Sequence, residues 1–316
     1  MSRDTNNLMP MSPLADPVFG GMFANAKVAG LAMQSLICAV LEADNEKLAG
    51  RVLSVTPQKA HTSARRRSCR VDIESDTDAN ELIITEVQID ADPRLMVRNL
   101  FSSSHVFRET PKKGDTPTQM ASRMPRVIHI NLLAHSIRKN SVNLLEPFKI
   151  LYTKPPHETA IPNFSGYNVQ LPQIEKMKPD FENALYCWCY AMYTAHAQGK
   201  TMQEVIDVSS EMRRFMARDR GFRQFCTRYK RVAADPKTQQ AYVNWVKSLM
   251  REEGMKEAAW LRGVEEGERK GIEAVARNLL RRNLSVEDVA EATTLTPTEV
   301  VELKKKMQAP IGHGLT

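Results

Sequence analysis

Two short segments rich in β-branched residues constrain the fold of this chain most strongly. Residues 70–74 read Arg-Val-Asp-Ile-Glu and residues 82–88 read Leu-Ile-Ile-Thr-Glu-Val-Gln, while residues 76–80 between them have the composition of a loop. The pattern predicts an antiparallel β-hairpin. The position of the turn fixes the register of a hairpin. A turn about Ala79 therefore determines which residue of the first strand lies directly opposite each residue of the second.

The predicted hairpin brings two acidic side chains together. Side chains alternate along a strand, so Glu86 and Gln88 share a face that Val87 does not. With the turn at Ala79, Asp72 lies opposite Glu86, at a Cβ separation of about 4.5–5.5 Å. Carboxylates at this distance repel each other unless a cation lies between them, and Mg²⁺ prefers oxygen ligands. A bound metal can polarise a phosphoryl oxygen and activate water, as phosphodiester hydrolysis requires. The alternative is an ordinary solvent-facing hairpin with surface acids.

The segment before Asp72 is strongly basic. From residue 47 to residue 71 the sequence holds seven Lys or Arg residues and no Asp or Glu. Such a segment can neutralise phosphates and hold nucleic acid against a metal site. A solvated flexible loop is the open alternative. The formal net charge of +7 agrees with a polyanionic partner without requiring one. The candidate DNA-binding residues here are Lys59, Arg65, Arg66, Arg67 and Arg70.

The order of predicted elements indicates an α/β fold. A helix is expected from Asp16, its N-cap, through residue 41, with a break near Gly30. Later segments alternate between strand-like and helical composition, and the chain is helical after residue 179. The predicted strands are residues 51–55, the hairpin, 126–133, 148–152 and 167–171; the predicted helices are 92–108, 180–197, 201–217 and 236–280; residues 111–125 are expected to form a loop.

The chain divides into four predicted regions. A flexible N-terminus of residues 1–15 precedes an α/β domain of residues 16–175, a helical region of residues 176–250, and a charged helix with a short helix-turn-helix-like tail in residues 251–316. Capping-box spacings in the tail, such as Ser285 with Asp288, predict its two short helices. Gly263, Gly267 and Gly271 recur every four residues in the charged helix. This spacing is compatible with a soft connecting helix, which is the favoured interpretation, or with a close helix–helix contact and a homo-oligomer through these helices.

Composition also limits the class of protein. The longest apolar stretch near the start, residues 31–41, is well short of the ~20 residues that cross a bilayer, so no membrane association is expected. Five scattered cysteines without a secretory leader indicate reduced thiols and a cytoplasmic location.

Several of these motifs together resemble a known family. Residues 16–23, Asp-Pro-Val-Phe-Gly-Gly-Met-Phe, are similar to the D-x-x-F-K-x-x-F start of the recombination-promoting nuclease (Rpn) / putative transposase family of the PD-(D/E)XK nucleases. Its R-x-D and E-x-Q strands resemble residues 70–72 and 86–88. Arg98 resembles the arginine that opens the following helix, and residues 126–131 resemble the next core strand. Two departures are Gly20, where lysine is usual, and a reduced aromatic pair after Arg98.

The resemblance implies a PD-(D/E)XK core, in the order helix, three strands, helix, strand, followed by an α-helical C-terminal region. It implies Asp72 and Glu86 as ligands of Mg²⁺ or another divalent cation, with Gln88 in the place of the superfamily's catalytic lysine. Arg98 joins the DNA-binding candidates. Glu42, late in the first helical segment, is a further candidate ligand, with an ordinary surface position as its alternative.

Three hypotheses of function follow. The leading one is a metal-dependent DNA endonuclease acting in recombination, mobile-element or phage-related DNA metabolism. The second is a catalytically inactive DNA-binding or regulatory protein that retains the nuclease fold. The third is an interaction protein that works through its helical tail. Metal-dependent nicking of DNA separates the first from the other two.

Overall fold

The computed structural model describes residues 10–308 apart from residues 24, 25, 64, 65 and 139. The chain forms two compact units, residues 1–245 and residues 246–316. In the first unit, the sheet and the helices after residue 176 contribute to one hydrophobic core. The boundary predicted at residue 175 therefore does not separate two cores.

A mixed six-stranded sheet organises the first unit. Its order is β1-β2-β3-β4-β6-β5, with β3, β4 and β6 parallel and the other neighbours antiparallel. The strand β3 and the central strands β4 and β6 are almost wholly buried, as expected for parallel strands covered on both faces. The predicted α/β fold is confirmed. The strands are β1 Val52–Ser63, β2 Arg66–Thr77, β3 Glu81–Gln88, β4 Arg126–Leu133, β5 Leu145–Phe148 and β6 Phe164–Gln170.

The predicted hairpin is present as β2 and β3. Their register pairs Ile73 with Thr85 and Asp76 with Leu82, so the next step along the ladder sets Asp72 opposite Glu86. The turn between them includes Asn80 with a φ of 57°, a left-handed conformation that asparagine tolerates better than most residues. The observed register is the one that the turn composition and the strand parity predict, and the role of Asp72 and Glu86 as site residues stays a prediction.

The basic segment belongs to strands in the described backbone. Strand β1 runs to Ser63 and β2 starts at Arg66, with Lys59 paired to Val71 and Ala60 to Arg70. The flexible-loop alternative is therefore wrong for these strand residues. Arg65 lies outside the described residues, as do the side chains of Lys59, Arg66, Arg67 and Arg70.

The helices follow the sequence pattern with some differences. The break predicted near Gly30 is wrong, because Gly30 lies inside α2; residues 24 and 25, between α1 and α2, lie outside the described residues. The predicted helix 201–217 is two helices, because Ser209 caps a new one by accepting a hydrogen bond from the Met212 amide. The helices are α1 Asp16–Phe23, α2 Ala26–Glu42, α3 Leu95–Glu109, α4 Pro117–Arg123, α5 Ala184–Ala197, α6 Met202–Asp207, α7 Ser210–Arg218, α8 Arg220–Ala233, α9 Pro236–Arg281, α10 Val286–Ala292 and α11 Pro297–Gln308, with a 3-10 helix at Leu171–Lys176.

Two helices were not predicted. The short α4 lies in the expected loop, where Thr116 and Gln119 form a capping box ahead of Pro117. The longer α8 begins at an N-cap, Asp219, whose carboxylate accepts a hydrogen bond from the Phe222 amide. Its buried aromatic residues recur at helical spacing, a signal that the sequence carried.

The predicted flexible N-terminus is wrong for residues 11–15. Met11, Leu14 and Ala15 are fully buried in the main core. The Tyr229 hydroxyl donates a hydrogen bond to the Met11 carbonyl at 2.5 Å and accepts one from the Met11 amide at 3.3 Å. This segment is therefore part of the folded unit, while residues 1–9 lie outside the described residues.

The second unit has a small core of its own. Ala276, Leu280, Val289, Val300 and Leu303 form it. The predicted caps are present: Ser285 accepts a hydrogen bond from the Asp288 amide, and Thr296 and Glu299 bond reciprocally. Homo-oligomerisation through these helices stays a prediction. Across the described part of the chain, every helix is too short or too polar to cross a bilayer.

Candidate active site

The centre of the candidate site is the carboxylate pair on β2 and β3. Asp72 Oδ2 accepts a hydrogen bond of 2.9 Å from the Val87 amide, which holds this carboxylate toward the neighbouring strand. Glu86 is 2% exposed, whereas Asp72 is half-buried. The pair therefore has one deeply buried acid and one acid with access to solvent.

Burial and mutual repulsion set the electrostatics of this pair. Burial raises the pKa of Glu86 to about 7; the Arg98 guanidinium opposes this rise, and the Asp72 charge adds to it. Burial also raises the pKa of Asp72, against the Val87 hydrogen bond, and Asp16 raises it further. Both acids would be stabilised in their ionised form by an added positive charge.

Gln88 and Arg98 complete the polar contacts of Glu86. Gln88 Nε2 donates to Glu86 Oε2 at 3.4 Å, as expected for residues on the same strand face. Arg98, on the first turn of α3, places Nη2 3.3 Å from the same oxygen and donates from Nη1 to Gln88 Oε1 at 3.4 Å. Arg98 also pairs with Asp92 at 3.5 Å. The structure thus places Arg98 at the carboxylate pair.

A row of buried polar side chains continues from Glu86 across the sheet. The parallel register pairs Glu86 with Asn131 on β4, and Asn131 with Asn168 on β6. Asn131 Nδ2 donates to Asn168 Oδ1 at 2.8 Å, while the buried Asn131 Oδ1 has no hydrogen-bond partner among the described residues. Sequence reasoning missed both asparagines. The available signal was an amide residue between apolar neighbours on a strand, Ile130 and Leu132 for Asn131 and Tyr167 and Val169 for Asn168.

Asp16 is a second acid that sequence reasoning did not assign to the site. It lines a narrow cleft together with Phe19, Gly20, Gln58 and Asp72. Partial burial raises the pKa of Asp16, and its charge acts on Asp72. The sequence had suggested only an N-cap role, although Asp16 is the first residue of the D-x-x-F motif.

Glu42 does not join the pair. It lies exposed at the end of α2, and its charge raises the pKa of Cys38. Neither Asp72 nor Glu86 has Glu42 among the charges that shift its pKa. The surface position is therefore the better interpretation of Glu42. The DNA-binding roles of Lys59, Arg65, Arg66, Arg67 and Arg70 stay predictions.

The donor chemistry at the pair fits a hard divalent cation. No group of three or more His, Cys, Asp or Glu side chains in the described residues is arranged to hold a metal ion. Mg²⁺, however, is commonly bound through one or two carboxylates, with waters and substrate phosphates as the remaining ligands. Asp72 and Glu86 supply that number of carboxylates, and the unpartnered Asn131 oxygen adds acceptor capacity beside Glu86.

Comparison with known proteins identifies the family. A family model described as PD-(D/E)XK nuclease family transposase matches residues 13–259. The chain belongs to this family, and the resemblance drawn from its motifs is confirmed. No curated protein and no solved structure matches the chain. The match ends before the last part of α9, so it covers neither α10 nor α11.

Proposed function

We propose that this protein is a metal-dependent DNA endonuclease that hydrolyses phosphodiester bonds in recombination or mobile-element DNA metabolism. One observation supports the proposal above the others: Asp72 and Glu86 stand one step beyond the Ile73–Thr85 pair on antiparallel strands, Glu86 is buried, and the Asp72 charge helps to raise its pKa. Because the chain belongs to a nuclease family, the reaction expected at this pair of acids is phosphodiester hydrolysis. Perturbed acids in a cleft are a common mark of active sites.

In this proposal, Asp72 and Glu86 hold Mg²⁺ or another divalent cation. The ion, when bound, supplies Lewis-acid polarisation of a phosphoryl oxygen and a more acidic water. The Val87 amide orients Asp72 by fixing one of its oxygens. Asp92 orients Arg98 in turn, through the ion pair at its Nη1.

Arg98 offers the positive charge that Gln88 lacks. A glutamine amide can donate a hydrogen bond to a phosphate oxygen or a water but cannot offset developing negative charge. The Arg98 Nη1 lies 3.4 Å from Oε1 of Gln88, the residue that by resemblance stands in the place of the superfamily's lysine. We therefore assign Arg98 to transition-state charge stabilisation, with Gln88 as a hydrogen-bond donor beside it.

The decisive experiment is nicking of supercoiled plasmid by the purified full chain. We expect nicked and linear products with Mg²⁺ and none with EDTA. A matched control is Asp76→Ala: Asp76 lies on the same strand but is exposed and bonded to the Ser54 hydroxyl at 2.7 Å. That variant should cut like the wild type. Absence of cutting with Mg²⁺, Mn²⁺ and other divalent ions would reject the proposal.

One observation favours the rival function, an inactive DNA-binding protein. Arg98 pairs with Glu86 at 3.3 Å, so the buried acid has a cationic partner within the protein itself. The same plasmid assay decides between the two, provided that DNA binding is measured in parallel. Metal-independent binding without nicking would establish the rival.

A further inference from the structure

The charged residues of helix α8 are all basic. Its 14 residues include five Arg or Lys and no Asp or Glu. One face is buried in the main core, and the other presents basic residues at helical spacing. The buried face consists of Gly221, Phe222, Phe225, Cys226, Tyr229 and Ala233. The exposed residues of α8 are Arg220, Arg223, Thr227, Lys230 and Arg231.

This exposed face forms one wall of a groove beside α2. The two helices pack closely at Gly221, where a Cβ would lie 2.3 Å from the Leu31 carbonyl oxygen. The arginine groove is lined by Leu31, Arg220, Arg223, Gln224, Thr227, Arg228 and Arg231. Its lining therefore contains four arginines and no acid.

The arginines of the groove differ from those of the preceding helix. On α7, Arg218 pairs with Glu182 and Arg214 pairs with Glu211. Within the described chain, none of the four groove arginines has a carboxylate partner; Arg228 instead donates to the Met22 carbonyl and, at 3.3 Å, to the Gly21 carbonyl. The pKa of Arg228 is lowered by burial and by the charge of Arg231. The groove therefore holds uncompensated positive charge.

Helix stability does not explain this arrangement. A helix favours cations near its C-terminus, which accounts for Arg231, but disfavours them near its N-terminus. Arg220 and Arg223 nevertheless lie in the first turns of α8. The adjacent acid, Asp219, is already bonded to the Phe222 amide at 2.8 Å and to the Ser35 hydroxyl at 2.6 Å. Neither the helix dipole nor Asp219 compensates these charges, so the groove is suited to an external anion.

We propose that the arginine groove binds the sugar-phosphate backbone of duplex DNA beside the cleavage site. This inference rests on the proposed function. Helix α1 links the two places: Asp16 at its start lines the cleft with Asp72, and the carbonyls of Gly21 and Met22 near its end hold Arg228. Eight helical residues span about 12 Å.

That spacing suits a continuous duplex. DNA carries one negative charge per about 1.7 Å of its axis, so the roughly 12 Å length of α1 corresponds to several phosphates of a duplex. Arg220, Arg223 and Arg231 are exposed and extend along one helix face, as contacts to successive phosphates require. These are binding residues, with no part in the chemical step.

The test is binding of a fluorescent duplex in EDTA, measured against salt concentration. The variant Arg220→Gln/Arg223→Gln/Arg231→Gln should bind more weakly and flatten the slope of log K against log salt by about 2–3, since each phosphate contact contributes about 0.9. The matched control, Lys176→Gln/Lys178→Gln/Lys200→Gln, removes the same charge outside the groove and should change the slope little. Circular dichroism and thermal melting check the fold of both variants.

The possible outcomes are distinct. An unchanged slope in a folded arginine variant overturns the proposal, as does an equal loss in the lysine control. If the triple variant does not fold, Arg223→Gln alone should flatten the slope by about 0.9, and no change would reject the groove. Because binding is measured without metal, it can succeed even if nicking fails. If nicking occurs, the triple variant should raise the DNA concentration for half-maximal rate and leave the maximal rate unchanged.

Discussion

The carboxylate pair and the arginine groove, both in the first unit, have opposite charge arrangements. At the pair, one arginine, Arg98, faces Glu86 and Asp92 while Asp72 lies nearby. In the groove, four arginines line the surface without a carboxylate partner in the described chain. The first arrangement favours an added cation, and the second favours an added anion. A metal-dependent nuclease needs both.

The two regions also differ in burial. Glu86 is 2% exposed, so its electrostatic interactions are strong and only weakly screened by solvent and salt. The groove arginines Arg220, Arg223 and Arg231 are exposed, so their interactions are screened by salt. Changes at the pair should therefore alter the rate of cleavage, whereas changes in the groove should alter the affinity for DNA and its salt dependence.

The strongest test of this division is Asp72→Ala. Loss of a metal ligand should reduce nicking by more than about 10³-fold, because an ion contributes several kcal/mol to the transition state. DNA affinity and the melting temperature should change little, since Asp72 is half-buried and makes one backbone hydrogen bond. The measurement is single-turnover cleavage with parallel binding. Wild-type nicking by this variant would remove Asp72 from the active site.

A second test concerns Gln88. Gln88→Ala should slow cleavage by about 10²-fold if the amide supplies one transition-state hydrogen bond. Gln88→Lys should preserve or raise the rate, because it restores the charge usual in the superfamily. Single-turnover cleavage of supercoiled plasmid at saturating Mg²⁺ compares the variants. Equal rates for all three residues would place position 88 outside the active site.

The buried acid should also leave a pH signature in stability. The pKa of Glu86 is about 7 in the folded chain against an ordinary 4.5, so ionisation destabilises the fold. This cost is absent below pH 4.5, grows as the pH rises, and levels off above about 7, at about 3 kcal/mol. Relative to wild type, Glu86→Gln should therefore gain unfolding free energy between pH 5 and pH 8.

Urea unfolding in EDTA at these two pH values measures the effect. Asp76→Asn is the control, because it removes an exposed acid from the neighbouring strand. An identical pH dependence for wild type and Glu86→Gln would show that Arg98 alone keeps Glu86 ionised. Addition of Mg²⁺ at pH 8 should stabilise the wild type more than the variant.

The smallest expected effect concerns the basic strands. Replacement of Arg65, Arg66 and Arg67 by alanine should flatten the salt slope of duplex binding if these residues touch phosphates, by about 0.9 for each contact. The change in salt slope for this variant, set beside the change for the arginine-groove variant, shows which of the two basic surfaces makes more phosphate contacts. A slope equal to that of wild type would leave the groove as the main DNA contact.

Much of the site could be predicted because it depends on local order. Strand alternation and the turn at residues 78–80 were enough to oppose Asp72 and Glu86, and local capping residues were enough to predict the tail helices. The family motifs, such as R-x-D and E-x-Q, are also short local patterns of the sequence. None of these features requires knowledge of which distant elements meet.

The remaining features arise from long-range contacts. Asp16 reaches Asp72 because α1 packs near the sheet, and Asn131 reaches Glu86 because β3 and β4 are parallel neighbours. Met11 is buried because Tyr229, more than two hundred residues later, bonds to its backbone. Residue spacing does not reveal such pairings, since they depend on how the whole core packs.

The sequence alone determined the α/β class, the hairpin and the acidic pair, because periods of two and 3.6 residues and turn chemistry act over short distances. Only the tertiary structure decided that Arg98 contacts Glu86 and that the arginines of α8, which have no carboxylate partner among the described residues, line a groove beside α2. Two charged groups neutralise each other only when they are close in space. The order of residues along the chain does not show which distant groups become close.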